Sequence, residues 1–132
     1  MRNATHTLTI DAPKQRVFDF ISRVENLPKW ATVFAREARR DGEGRWKVAT
    51  PQGEILFRIE ADAASGVVDM YGGPDERALS YWPARVVASP DGGSVFMFTG
   101  FQYPGMSDEE FRKAGEGLER ELPILKRLAE AA

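Results

Sequence analysis

The sequence predicts an α+β domain. One curved antiparallel sheet of about seven strands wraps around a long C-terminal helix, with two short helices between the first and second strands. Three observations predict it. Turn signals recur between Phe34 and Tyr103 and separate short alternating segments. The last quarter instead carries apolar residues at steps of three and four. Between the first alternating segment and the rest, Pro13 and Pro28 open two short helical patterns. With 132 residues the chain has the size of one domain, residues 1–132.

The elements follow in order. Thr5, Thr7 and Thr9 alternate with His6, Leu8 and Ile10, which reads as a strand with Leu8 and Ile10 on its buried side. Asp11-Ala12-Pro13 reads as a helix start, with Asp11 able to accept an orphan N–H and Pro13 lacking the donor. Val17, Phe18, Ile21 and Val24 then give an amphipathic helix over residues 13–23. Asn26-Leu27-Pro28 stops it and opens a shorter turn carrying Trp30. Strand-like segments follow at 34–40, 45–50, 54–61, 67–71, 79–89 and 94–103. Their short connections favour a meander. Ser107 and Glu110 form a capping box. The stripe Phe111, Ala114, Leu118, Leu122, Leu125 and Leu128 then defines the last helix. Lys126 and Arg127 near its end suit the helix dipole. Pro123 predicts a kink near 119–123, and Gly115 and Gly117 leave room beside a neighbour or a ligand.

Composition excludes several functions. No cysteine is present, which removes disulfide scaffolds, thiolate catalysis and cysteine-ligated metal. One histidine excludes a site that needs two imidazoles. Eighteen basic against 20 acidic residues argues against nucleic acid as a partner. No apolar run approaches a membrane span and no secretory signal opens the chain, so neither stable membrane insertion nor export is expected and the cytoplasm is the expected location. There is no phosphate-binding glycine loop, no Ser/His/Asp triad and no metal-ligand spacing, so no cofactor and no metal is expected.

A strongly twisted antiparallel sheet has one face to bury, and the last helix has one apolar stripe. Laid together they do not seat flush, so a gap is expected between them, which the two short helices turn into a pocket.

The chain also resembles the START/Bet v 1-like helix-grip superfamily (SRPBCC), in particular its small bacterial polyketide cyclase/dehydrase-like members. The residues that carry the resemblance begin with Ile10-Asp11-Ala12-Pro13, Val17-Phe18-Asp19-Phe20-Ile21 and Glu25-Asn26-Leu27-Pro28-Lys29-Trp30. It continues through Pro83-Ala84-Arg85-Val86-Val87, Gly93-Ser94-Val95 and the segment from Glu121 to Lys126. The resemblance implies the helix-grip fold. It implies no single activity, because that superfamily holds carriers, receptors and cyclases alike.

An aromatic-lined pocket with a few polar groups suits a flat apolar molecule. The candidate lining is Trp30, Trp46, Phe57, Tyr71, Trp82, Arg85 and Phe98, with Phe111, Gly115 and Leu118 from the last helix. Plain core packing is the competing reading for each of them. Arg85 lies in an apolar strand: inward it needs a carboxylate of protein or ligand, and outward it bridges to Glu54 or Glu60. Asp69, between Val68 and Met70, poses the same question, and inward it could do acid–base work. The weak catalytic candidates are therefore His6, Asp69, Tyr71 and Arg85. The clusters 36–40 and 116–121 read as solvated faces.

These features predict a binder or carrier of a small hydrophobic or aromatic molecule. A cyclase or dehydratase acting on an aromatic or polyketide-type substrate is the alternative. A third reading is an interaction module or homodimer, with the strand 94–103 and the loop 72–77 as its apolar patch.

Overall fold

The computed structural model describes residues 1–131. Eight strands form one antiparallel sheet: β1 Asn3–Ile10, β2 Glu37–Arg40, β3 Trp46–Thr50, β4 Gly53–Asp62, β5 Val67–Gly73, β6 Ser80–Trp82, β7 Ala84–Ala88 and β8 Ser94–Phe101. Three helices accompany them: α1 Lys14–Ile21, α2 Leu27–Trp30 and α3 Asp108–Ala131, with a 3-10 turn at Val24–Asn26 leading into α2. The strand order is β1-β8-β7-β5-β4-β3-β2, and β6 pairs with β5. The sheet is thus the expected meander, with β1 added at the free edge of β8. The α+β class, the short helices after β1 and the long last helix are as expected.

The segment expected as one strand over 79–89 is two, β6 and β7. Pro83 separates them, because it has no N–H to give the ladder. The strand expected to begin at Phe34 begins at Glu37. Asp11 does not cap α1: Pro13 holds the cap position without a side-chain bond, and the Asp11 backbone N–H donates to Glu130 Oε2 at 2.8 Å. The capping box of α3 is in place, with Glu110 N–H on Ser107 Oγ at 3.0 Å and Ser107 N–H on Glu110 Oε1 at 3.1 Å. Lys126 does not serve the helix end. Its ammonium donates to the Thr9 carbonyl at 3.0 Å, tying α3 to β1. Pro123 lies on the exposed side of α3, which continues past it to Ala131.

The core sits between the inner face of the sheet and one end of the molecule. Ile10, Val48, Val68, Met70, Val86 and Phe96 line that face. Val17, Ile21, Leu27 and Trp30 from the short helices, and Leu118, Leu122, Leu125 and Ala129 from α3, close over it. The α3 helix packs mainly on β1, α1 and α2. Only its second half is buried, from Gly117 onward, whereas Phe111 and Gly115 stay partly exposed. Gly66, at φ +80°, lets two chain segments touch. The Val86 N–H donates to its carbonyl at 2.8 Å, and a Cβ there would stand 2.0 Å from the Val86 oxygen. Among the described residues, no helix is long and apolar enough to cross a membrane.

Candidate functional site

Side-chain parity decides which candidates can share a site. Directly opposed residues of an antiparallel pair point to the same side of the sheet. Phe57 opposes Trp46 and Gly72, Met70 opposes Trp82, and Phe98 opposes both His6 and Ala84. Phe57, Met70 and Ala84 are buried, so Trp46, Trp82, Phe98 and His6 share the inner face with them. Arg85 opposes Val67 and Met97, Asp69 opposes Glu60, and Tyr71 opposes Arg58 and Tyr81. All of these belong to the outer face.

For Arg85 and Asp69 the outward of the two sequence readings holds, so their candidacy for the pocket falls, as does that of Tyr71. Arg85 is exposed on the outer face, and it bridges to neither Glu54 nor Glu60. Its Nε donates to the Ser65 carbonyl at 3.1 Å. Asp69 and Tyr71 also lie outside, in a ladder of rings. Tyr71 stacks on Tyr81 at 5.1 Å, Tyr81 on Phe101 at 6.4 Å, and Tyr103 meets Phe101 edge-on. The Arg58 guanidinium sits 4.5 Å over the Tyr71 ring. Burial raises the Tyr71 and Tyr81 hydroxyl pKa values, and the nearby Glu60 and Asp69 carboxylates push the same way. Of the four catalytic candidates only His6 faces inward. The other three are separated from it by the sheet, so no acid–base set converges.

The inner candidates divide into two groups. Trp30, Phe57 and Leu118 are core residues at 2, 3 and 7% exposure. Trp30 meets Phe96 edge-on at 6.5 Å, and its indole N–H has no protein acceptor. Trp46, Trp82, Phe98, Phe111 and Gly115 stay partly exposed. Gly115 brings α3 close to β1. A Cβ on it would stand 3.8 Å from two atoms of the His6 ring. The Arg2 guanidinium lies 4.9 Å over Phe111, at the end of the groove where α3 begins.

Two features were missed in the sequence. The first is Phe34, read as the start of a strand. It lies in the connection between α2 and β2, and its ring is 6.0 Å from Phe57 and 5.9 Å from Trp82. Phe57 and Trp82 are themselves stacked at 6.3 Å with a 23° tilt. Gly72 lies beneath them: a Cβ there would stand 2.9 Å from Phe57 and 3.1 Å from Trp82.

The second is Glu121, read as part of a solvated charge run. It is 5% exposed. Its Oε2 accepts the N–H of Val33 at 3.0 Å and of Phe34 at 2.9 Å. Burial raises its pKa. The two N–H groups and the Arg120 charge pull the other way without cancelling it. A signal was available, because position 121 falls between Leu118 and Leu125 on the apolar stripe.

Two hollows open at the sheet. One, of about 10 Å³, is bounded by Arg45, Trp46, Leu56, Phe57, Arg58, Glu76 and Leu79. The other, of about 100 Å³, is on the charged outer face at Glu37, Arg39, Lys47, Ala49 and Glu54. Phe34 packs against the inner face, on Phe57 and Trp82.

Residues 1–130 match the family model described as polyketide cyclase / dehydrase and lipid transport. Among solved structures, the chain is similar to the protein XoxI from Bacillus cereus, with a TM-score of 0.76 and 17% identity over 97% of this chain and 95% of that one. It is similar to the di-domain ARO/CYC BexL from the BE-7585A biosynthetic pathway, with a TM-score of 0.70 and 18% identity over 96% of this chain and 46% of that one. It is also similar to Ara h 8.0201, with a TM-score of 0.69 and 17% identity over 99% of each chain. No curated protein matches it. At these identities the structural likenesses speak for the fold.

Proposed function

The chain belongs to the polyketide cyclase/dehydrase and lipid transport family, with the Bet v 1-like fold of the SRPBCC superfamily, and from that premise we propose that it binds a small hydrophobic or aromatic molecule between the inner face of the sheet and the first half of α3. One observation carries the reading. Trp46, Trp82, Phe98 and Phe111 remain partly exposed on the side where the rest of the sheet is sealed by helices. Elsewhere that face is completed by buried residues of α1, α2 and the second half of α3. Here large rings are left for something else to cover. Burying such rings is favourable at roughly 25 cal/mol per Å² of apolar area, so an apolar guest gains on both sides of the contact. His6 is the one ionisable side chain among the inner candidates and would orient a polar group of the guest.

A carrier needs binding without chemistry, and His6 alone fits that better than a cyclase, which needs a second proton-transferring group in reach. The reading is tested by titrating the chain with anilinonaphthalene sulfonate and following both dye and tryptophan fluorescence. Saturable binding is expected, and Trp82→Ala should weaken it about tenfold while leaving a cooperative thermal transition. Native mass spectrometry of freshly purified protein should show a co-purified small molecule. Absence of both the adduct and saturable dye binding removes the reading.

A further inference from the structure

We propose that residues 32–34 form a removable plug, with Phe34 as the stopper of the site and Glu121 as the residue that positions it. The inference rests on the binding reading above. Four observations converge on this segment. Phe34 is the ring that caps the Phe57–Trp82 pair, tilted 54° to Phe57 and edge-on to Trp82, yet it comes from a connection and not from the sheet or α3. Gly72 flattens the floor under that stack, because any side chain there would collide with both rings. The segment is held to α3 by two backbone N–H bonds that converge on one oxygen of Glu121. Next to them, Val33 is 40% exposed, and Gly117 gives it clearance: a Cβ on Gly117 would stand 3.2 Å from Val33 Cγ1.

The physical logic is substitution. A phenyl ring already lies against the stacked pair, so the space is shaped for a flat ring and is filled when no guest is present. A flat guest ring can take over the contacts of Phe34 while Phe34 swings out to solvent. The latch suits this use. Its carboxylate is held by two bonds, and in the closed state it is kept from water. Ala31 and Ala35 stay buried on either side as anchors, and the Arg36 N–H stays on the Ala49 carbonyl at 2.8 Å. Swinging Val33 and Phe34 away between them costs the two bonds to Glu121 but returns its carboxylate to water, so these terms oppose each other. An aliphatic packing residue at position 121 would hold the same segment by apolar contact alone, without these opposing terms.

The test uses anilinonaphthalene sulfonate as the flat probe and dodecanoate as the flexible one, on the full chain. Phe34→Ala should bind the flat probe about tenfold more tightly than the wild type, since no stopper has to leave. Glu121→Ala should also bind it more tightly, with faster hydrogen exchange at the Val33 and Phe34 amides. Glu121→Gln, which can still accept those bonds, should return both properties toward wild type. Dodecanoate should displace the flat probe poorly from every variant. Wild-type binding with unchanged or weaker binding by Phe34→Ala would make Phe34 a wall and not a stopper, overturning the plug while leaving the binding reading intact. No binding by wild type or by Phe34→Ala would overturn the binding reading and the plug with it. Equal displacement by dodecanoate overturns the flat-ring part.

Discussion

The two faces of the sheet carry comparable numbers of aromatic rings and use them in opposite ways. Outside, Tyr71, Tyr81, Phe101 and Tyr103 stack along one another with Arg58 laid over them, and Tyr103 Oη accepts the Tyr81 N–H at 2.7 Å. These rings complete each other's contacts. Inside, Phe57 stacks on Trp82, Phe98 leans on Phe96 and Arg40 lies over Trp46, but no such continuous ladder forms, and a ring borrowed from a connection lies against the stacked pair. Aromatic content alone therefore does not mark a site. What marks it is aromatic surface that the fold's own elements leave without a permanent partner.

The largest expected effect separates the faces by stability. Phe57→Ala removes a ring at 3% exposure from under Phe34 and Trp82 and should cost about 3–5 kcal/mol. Tyr81→Ala, on the outer ladder, should cost far less, because that ring is open to water on one side. Urea unfolding monitored by circular dichroism reads both. Equal losses would mean that the two faces are equally integral to the fold, and the distinction would fail.

Next in size is Glu121. Glu121→Ala leaves two N–H groups without an acceptor, at about 1–3 kcal/mol for each that stays buried. The charge itself acts in the other direction. Burial raises the Glu121 pKa in the folded state above its ordinary value, so the native state favours the protonated acid. The resulting penalty is fully present above the folded pKa and fades as pH falls through it toward the unfolded value. Asp62, Asp91, Glu110 and Glu130 are shifted down and give the opposite slope. The informative quantity is therefore the difference between Glu121→Gln and wild type, followed by chemical denaturation across the acid range. The variant should gain on the wild type as pH rises. A flat difference would place the carboxylate in contact with water.

These two positions also show what the sequence could and could not say. The stripe of α3, its capping box, the meander and the helices after β1 were legible, because periodicity and turn chemistry are local. Which face a strand residue takes was legible where alternation was clean. Ile55, Phe57 and Ile59 with Glu54, Arg58 and Glu60 sort themselves. In 79–89 it was not, because Pro83 breaks the ladder, although the register on β5 continues across it from Met70–Trp82 to Val67–Arg85; the facing of Arg85 stayed open, and Tyr71 was listed for the pocket on chemistry alone. Phe34 and Glu121 escaped for another reason. Their pairing spans 87 positions of chain between the Phe34 amide and the Glu121 carboxylate; the place of Glu121 on the apolar stripe signals its burial, but no local pattern names its partner.

A smaller effect is expected on the outer ladder. Arg58→Ala removes the cation over Tyr71 and the ion pair with Glu60 at 2.8 Å. Both groups are substantially exposed, so the loss should be about 0.5–1 kcal/mol. It should shrink in high salt, since screening acts on the ion pair. Binding of a probe to the inner face should not change. A salt-independent loss would mean that packing of the arginine stem over the ring, and not its charge, supplies the contribution.

The smallest expected effect is also the sharpest test of the division between faces. Arg85 is the charge most easily mistaken for a ligand anchor, a lone arginine in an apolar strand. On the outer face its guanidinium reaches only the Ser65 carbonyl among the described residues, and the strand is held by its ladder to β8 on one side. Arg85→Ala should therefore shift stability within about 0.5 kcal/mol, the usual range for an exposed position. Its effect on probe binding should be nil, because the sheet stands between Arg85 and the inner rings. Arg85→Glu asks the same question with the charge reversed, against an anionic probe and an uncharged one. If either variant weakened the anionic probe tenfold while sparing the uncharged one, the guest would contact the outer face, and the site would have to be moved across the sheet.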